Sequence, residues 1–456
     1  MLKREYGKEQ PYFPLGPFKF RVPFIHYRWE WPEAIQALLM CSTCLGAIPV
    51  LTEVLGVPFD IAWSMVIING FLYSLHCLLG DPVVPGWITP AVPLVISYLN
   101  NFSQGPDRMK ALIAIQILLG IIFLFMGTTG LAGKLMDIFP DSLKGGILLG
   151  AGIAAILGEF KIEGRFENFP ISIVIGTIIA YLILFSDGFI ALKKKNKLCN
   201  IIGKYGMVSA IIIAVIVGPI VKELPVPNIE LGTFIKIPNF KGIIKTVSPF
   251  GVGFPEFKII IKAIPMAVIA YIIAFGDFVT TEALIGEADK VRTDEKIDFN
   301  SNRSNLISGI RNIIMALICP YTQLCGPLWA AVTAAISQRY KDGRKEMDSI
   351  FSGAGTFRWM TFVGVSIVPI VSLLEPVLPV ALSLTMLVQG YICTRLAMNI
   401  CKTDTDRGIA GVMGSILALK GAAWGLVVGI ILFLILRDFT IKKNTKNNFK
   451  NKNIEI

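Results

Sequence analysis

A chain of 456 residues that is 54% hydrophobic and only 16% charged, against about 25% charged in an ordinary soluble domain, holds more apolar side chain than an aqueous core of its size could cover. Lipid is the solvent that suits it, and a secreted disulfide scaffold is excluded, because Cys41, Cys44, Cys77, Cys319, Cys325 and Cys393 fall in or beside apolar runs, where a thiol acts as a small hydrophobe. The net charge of +11 does not call for nucleic acid, since the cations gather in short breaks between apolar runs and in the tail, at Lys442, Lys443, Lys446, Lys450 and Lys452.

In chain order, residues 1–32 form a cytoplasmic, interfacial segment. Pro14, Pro17 and Pro23 break it, no signal peptide reads there, and its aromatics are expected at headgroup level with Lys19, Arg21 and Arg28 in water. Apolar runs then follow at about 33–55, 58–79, 86–99, 109–132, 143–159, 170–192, 205–222, 262–286, 303–320, 326–338, 358–374, 377–397, 407–419 and 421–437. The fold class is therefore an all-α membrane protein of about 14 transmembrane segments. An even number places both termini on one side. The cation-rich loops 193–204, 287–303 and 339–345, together with the basic tail 438–456, make that side the cytoplasm of a cell whose inner (plasma) membrane holds the protein. Loop 223–261 then falls outside, in spite of Lys236, Lys241, Lys245 and Lys258.

Two runs are defective as spanning helices, and in the same way. Gly80-Asp81-Pro82-Val83-Val84-Pro85-Gly86-Trp87-Ile88-Thr89-Pro90 and Cys319-Pro320-Tyr321-Thr322-Gln323-Leu324-Cys325-Gly326-Pro327-Leu328-Trp329 each lead into a short apolar stretch. Proline belongs in the first turn of a helix, so each reads as an extended approach followed by a half-helix. Gly86 and Gly326 are 240 residues apart, and Phe139-Pro140 and Glu375-Pro376 are 236 apart. A near-constant offset predicts two seven-segment repeats, 33–222 and 262–437, and because seven is odd the second is inverted. Inverted repeats with interrupted helices in matching places point to a secondary transporter whose site lies between them.

Asp277 follows a dozen residues without a charge. An ionisable group at helix centre costs roughly 2.5–3.5 kcal/mol on insertion scales and marks a cavity or a partner. It is the first candidate for substrate and coupling chemistry, and Glu282, nearer the helix end, is the second coupling candidate. The half-helix N-termini offer unpaired N–H groups and positive dipole ends, which adds Trp87, Thr89, Gly326, Pro327, Leu328 and Trp329 to the substrate-binding set. The glycines would permit close approach of a ligand, and the indoles could stack a planar solute. With only His26 and His76 beside the cysteines, no metal site or cofactor is expected, and no acid–base constellation suggests an enzyme. A channel finds no sign in the sequence.

With these residues in view, the chain resembles the uracil/xanthine permeases, the nucleobase–cation symporters, and more broadly the fold they share with sulfate permeases and bicarbonate transporters. The likeness spans about residues 33–437 and is strongest at Ile35-Gln36-Ala37-Leu38, at Phe139-Pro140-Asp141-Ser142-Leu143-Lys144-Gly145, in the Asp277 helix and at Asn302-Arg303-Ser304-Asn305-Leu306-Ile307-Ser308-Gly309-Ile310. The resemblance implies a core domain around the half-helices and a gate domain from segments five to seven and twelve to fourteen. It matches Asp277 to the family's substrate carboxylate, adds Thr281 and Gln36 to the site, and sets Thr89 against the solute. Two positions depart from the pattern: Ala37 replaces a histidine after Gln36, and Pro327 stands where a second carboxylate is usual. The expected function is proton- or sodium-coupled symport of a nucleobase-type solute, with anion transport on the same fold as the alternative. The expected partners are that small molecule, the coupling ion, membrane lipid and, as a homodimer, a second copy of the chain.

Overall fold

The computed structural model describes residues 2–161 and 164–436, so the basic tail 438–456 lies outside the described residues. The chain is predominantly helical, and each apolar run falls on a helix. These are α1 (Trp31–Leu45), α2 (Phe59–Leu72), α3 (Val92–Leu99), α4 (Pro106–Thr128), α5 (Asp141–Phe160), α6 (Pro170–Phe185) and α7 (Val208–Ile220) in the first half. In the second half they are α8 (Phe257–Val291), α9 (Ser301–Ile318), α10 (Ala330–Lys341), α11 (Ile350–Ser366), α12 (Leu378–Ile400), α13 (Asp404–Lys420) and α14 (Ala422–Leu436). Local chemistry sets the starts. Proline occupies the first turn of α1, α3, α4, α6 and α12, where its missing N–H is not needed. Capping boxes open α11 (Ser349 with Ser352) and α13 (Thr403 with Asp406).

By length and apolarity, six helical stretches among the described residues could cross a membrane, or seven if the pair Pro170–Phe185 and Asp187–Lys193, bent by 62°, counts as one. Length and apolarity thus support six or seven of the expected fourteen spans among the described residues. Helices α3 and α10 are short, α11 and α13 end after 17 residues each, and α9 carries Arg303, Asn305, Arg311 and Asn312 among its apolar groups.

Packing divides the helices into two groups. Helix α4 runs along α8 and α9 while α11 runs along α1 and α2; separately, α5 packs on α12 and α13, α13 on α14, and α6 on α7 and α12. Each group is knitted by a reciprocal glycine crossing. A Cβ on Gly120 would lie 3.2 Å from the Gly309 oxygen and one on Gly309 3.0 Å from the Gly120 oxygen; Gly152 and Gly390 stand in the same relation at 2.8 and 3.1 Å. Small residues let helix backbones touch where lipid offers no hydrophobic drive. The groups meet along α10 and α12, α1 and α12, and α5 and α8.

The N-terminal segment departs from expectation. It folds into a hairpin, β1 (Phe13–Leu15) paired with β2 (Phe18–Phe20), and straps the helix ends together. Arg21 is fully buried, donating to the Gln10 carbonyl at 2.9 Å and stacked 3.9 Å from Phe351, rather than lying in water. Arg4, also buried, reaches Asp294 at 3.0 Å and the Asp348 carbonyl at 2.7 Å; Lys19 bridges Glu9 and Asp298. Acids on the strap and the loops draw these cations inward, while Phe13, Phe24 and Trp31 stay exposed. In loop 223–261, Lys236 is paired with Asp60 of α2.

Candidate functional site

The two proline-constrained approaches cannot continue a helix, and their backbone groups need partners at depth. They find them in each other. Strands β3 (Gly86–Trp87) and β4 (Cys325–Gly326) form a two-residue antiparallel ladder with Gly86 opposite Gly326 and Trp87 opposite Cys325. A Cβ on Gly86 would sit 2.6 Å from the Leu328 oxygen, and one on Gly326 2.7 Å from the Trp87 carbonyl carbon. The glycines thus serve the approach of backbone to backbone; Gly86 also lines the cavity above this crossing, and Gly326 does not. Leu324, at φ 45°, turns the chain into the crossing.

Side chains from α9 and α4 hold this crossing. The Arg311 guanidinium donates to the Gly326 carbonyl at 3.1 Å and to the Gly86 carbonyl at 2.9 Å, one nitrogen to each half of the chain. Asn312 exchanges two bonds with the Cys325 backbone, and the Gln116 oxygen accepts from the Tyr321 N–H at 3.0 Å. Before β3, buried Asp81 accepts from Ser304 at 2.6 Å and lies 2.8 Å from His76 Nδ1.

Above the crossing lies a cavity of ≈ 40 Å³. Its walls are Gly86, Trp87 and Thr89 from the first approach, Leu328 and Trp329 from the second, Asp277 of α8, Thr43 and Cys44 of α1, Tyr73, and Leu382, Thr385, Met386 and Gln389 of α12. Of the residues predicted for the site, Trp87, Thr89, Asp277, Leu328 and Trp329 therefore share one space. Among the described residues the Asp277 carboxylate has no hydrogen bond or ion pair, and a second, largely apolar cavity of ≈ 210 Å³ reaches it from the side of α5, α13 and α14. A wider space of ≈ 820 Å³, sharing Trp87, Thr89, Leu382 and Met386, extends to Glu159 and Arg165.

Other predicted residues lie elsewhere. Gln36 is buried about two turns before Thr43, against Met40 and Gly206; the repeat offset carries Asp277 to Ala37, whereas α1 presents Thr43 and Cys44 to the cavity. Thr281 is buried one turn beyond Asp277, its hydroxyl without a partner, and does not line the central cavity. Pro327 is buried in the turn between β4 and α10. Glu282 is half exposed, paired with Lys144 of α5 at 3.0 Å, and lines a separate space with Asp289 and Asn302.

Two residues that the sequence reading passed over dominate the electrostatics. Arg311 and Arg358 are both fully buried, and both stack on Tyr73, at 4.4 and 4.1 Å from its ring. Arg358, on α11, also lies 5.1 Å from the Trp329 ring, and none of its three nitrogens has a hydrogen-bond partner. Two positive charges therefore stand behind the wall where the half-helix N-termini converge. A lone cation within an apolar run carries the same signal as Asp277, and it could have been read by the same rule.

No protein-family model matches the chain and no curated protein matches it. Among solved structures, the transmembrane domain of a cyanobacterium bicarbonate transporter, BicA, is similar over 90% of this chain and 99% of its own, at 14% identity and a TM-score of 0.44. Murine Solute Carrier 26 family member A9, an anion transporter in its inward-facing state, is similar over 90% of this chain and 68% of its own, at 13% identity and 0.46. A further structure of SLC26A9 covers 90% and 66%, at 12% and 0.43. At such scores the likeness is loose, and the site itself must carry a functional reading.

Proposed function

We propose that the chain is a secondary transporter for a compact anion, held where the two half-helices converge and coupled to a cation through Asp277. The observation that carries this reading is the pair of buried guanidiniums, Arg311 and Arg358, behind the cavity wall. An uncompensated buried charge is costly. Among the described residues Arg358 has no carboxylate partner, only the Cys44 thiol and aromatic rings beside it, and an anion in the cavity would supply the missing negative charge. The N-termini of α3 and α10 add positive dipole ends on the same side. Size supports it too. A space of ≈ 40 Å³ takes roughly three water-sized groups, which suits a halide or a small oxyanion. The oxygens of Asp277 and Thr281, one turn apart on α8, are available for a sodium ion, and Asp277 alone for a proton.

The packing pattern supports inverted repeats, since exchanging the halves turns the α4 and α8 contact into that of α11 and α1. It also supports a core of α1–α4 with α8–α11 moving past a gate of α5–α7 with α12–α14. Cytoplasmic placement of the face carrying loops 193–204, 287–303 and 339–345 is our reading of their cations.

A nucleobase-type solute is the second reading, favoured by Trp87 and Trp329 in the cavity wall; a single free carboxylate and the small volume weigh against it. Proteoliposomes given labelled chloride, bicarbonate, nitrate, uracil or xanthine, with and without imposed proton and sodium gradients, distinguish the two. Gradient-stimulated uptake of an anion supports the first reading. Uptake of a base with no anion flux overturns it.

A further inference from the structure

Resting on the transport reading, we propose that Glu287 is the hub of an ionic latch that shuts one face of the molecule between its two helical units. Both Glu287 oxygens face Arg395 of α12, at 3.0 Å each, and one also meets Lys341, at the end of α10, at 3.0 Å. The carboxylate and Lys341 belong to the unit that holds the half-helices, and Arg395 to the other. Two more pairs bridge the same units on the same face: Lys144 with Glu282, at 3.0 Å, and Lys193 with Asp342. Behind the hub lies a cavity of ≈ 250 Å³ whose walls include Phe185, Asp187, Ser337 and Tyr391. It is walled by helices of both units, with Glu287, Lys341 and Arg395 among its lining residues.

The opposite face is built differently. Lys144 begins α5 and Glu159 ends it, so the helix runs from the latch to the wide ≈ 820 Å³ space that joins the central cavity. Helix α12 likewise runs from Leu382 and Met386, on that space, to Arg395 in the latch. Among the described residues, the ion pairs at the open end tie no helix of one unit to a helix of the other: Glu159 with Arg165 stays within one unit, and Lys236, in the loop that links the halves, meets Asp60 of α2. One face is open and the other is tied, as alternating access requires, and the ties are partly exposed ion pairs that break at little cost. The structure thus captures the state in which solute exchanges at the open face, and passage requires Glu287 to release Arg395.

The test reads accessibility rather than flux. In a Cys44→Ser, Cys199→Ser background, Ser337→Cys reports on the latched cavity and Val50→Cys on the open one, each labelled in purified protein with a charged methanethiosulfonate reagent. Glu287→Gln is expected to raise the Ser337→Cys rate at least fivefold and to lower the Val50→Cys rate. Moving the unmutated latch from 0.05 to 1 M salt should shift both in the same directions. Arg395→Gln provides the same comparison should Glu287→Gln fail to fold. Unchanged rates, or a rise at both positions, would overturn the latch. A reciprocal shift in a protein that moves no anion sinks the transport reading alone, while anion uptake with no shift sinks the latch alone.

Discussion

Replacing Arg358 separates two quantities that usually fall together, stability and function. Its guanidinium is buried without hydrogen-bond partners, so Arg358→Met keeps the volume, removes the uncompensated charge and should stabilise the protein by about 1–3 kcal/mol. Thermal unfolding in detergent would show a higher Tm, while anion uptake drops at least tenfold. Arg311 makes the opposite prediction. Its two carbonyl bonds hold both strands of the crossing, so Arg311→Met should cost about 2–4 kcal/mol, because two buried acceptors lose their donor. Asp277→Asn retains shape and removes the charge; gradient-driven accumulation should vanish from liposomes while the protein still inserts and purifies. Unchanged accumulation with unchanged pH dependence would make Asp277 structural.

The β3 and β4 ladder depends on two glycines whose added Cβ would meet backbone, not a yielding side chain. Gly86→Ala and Gly326→Ala should each cost about 1–3 kcal/mol by overpacking. Because each opens the same crossing, the double variant should lose less than the sum of the singles, measured as a cycle of Tm shifts. The strap is the other element with a sharp expectation. Arg292 and Arg4 hold the Asp294 carboxylate down at about 2, from an ordinary 3.8, so its contribution is complete above about pH 4 and is lost as pH falls toward 2. Limited digestion with pepsin across that range should release residues 5–24 progressively, and Asp294→Asn should release them already at pH 5. The interruptions were legible in the sequence because Pro and Gly act on the backbone directly. The ladder was not, since two residues leave no period to read. The α1 residues that line the cavity, Thr43 and Cys44, carry no charge or interruption that would mark them in the sequence. The strap was misread because its cations meet acids both within the strap, Glu9, and hundreds of residues away, Asp294 and Asp298, and only the folded chain brings the two sets together.

For the whole molecule, the cation-rich loops share a face, as Lys193 with Asp342 and Arg292 with the Tyr340 carbonyl make plain. If that face is cytoplasmic, Lys197→Cys should resist an impermeant thiol reagent added to intact cells and react after permeabilisation; labelling from outside would invert the assignment. Helix α8 adds a mechanical consequence. Its 35 residues make a rod of roughly 52 Å, against a hydrocarbon thickness of about 30 Å. Its proline, Pro265, precedes both Asp277 and Glu287, so the stretch joining them carries no break. The two carboxylates are about 15 Å apart along the axis, and leaning the rod by about 10° around Asp277 swings Glu287 through about 2.5 Å. That travel exceeds what a 3.0 Å contact with Arg395 tolerates. In the proposed transport cycle helix α8 would act as a lever arm: a few degrees of pitch, set by an occupant of the space beside Asp277, would be enough to part the contact at its far end without unwinding a single turn.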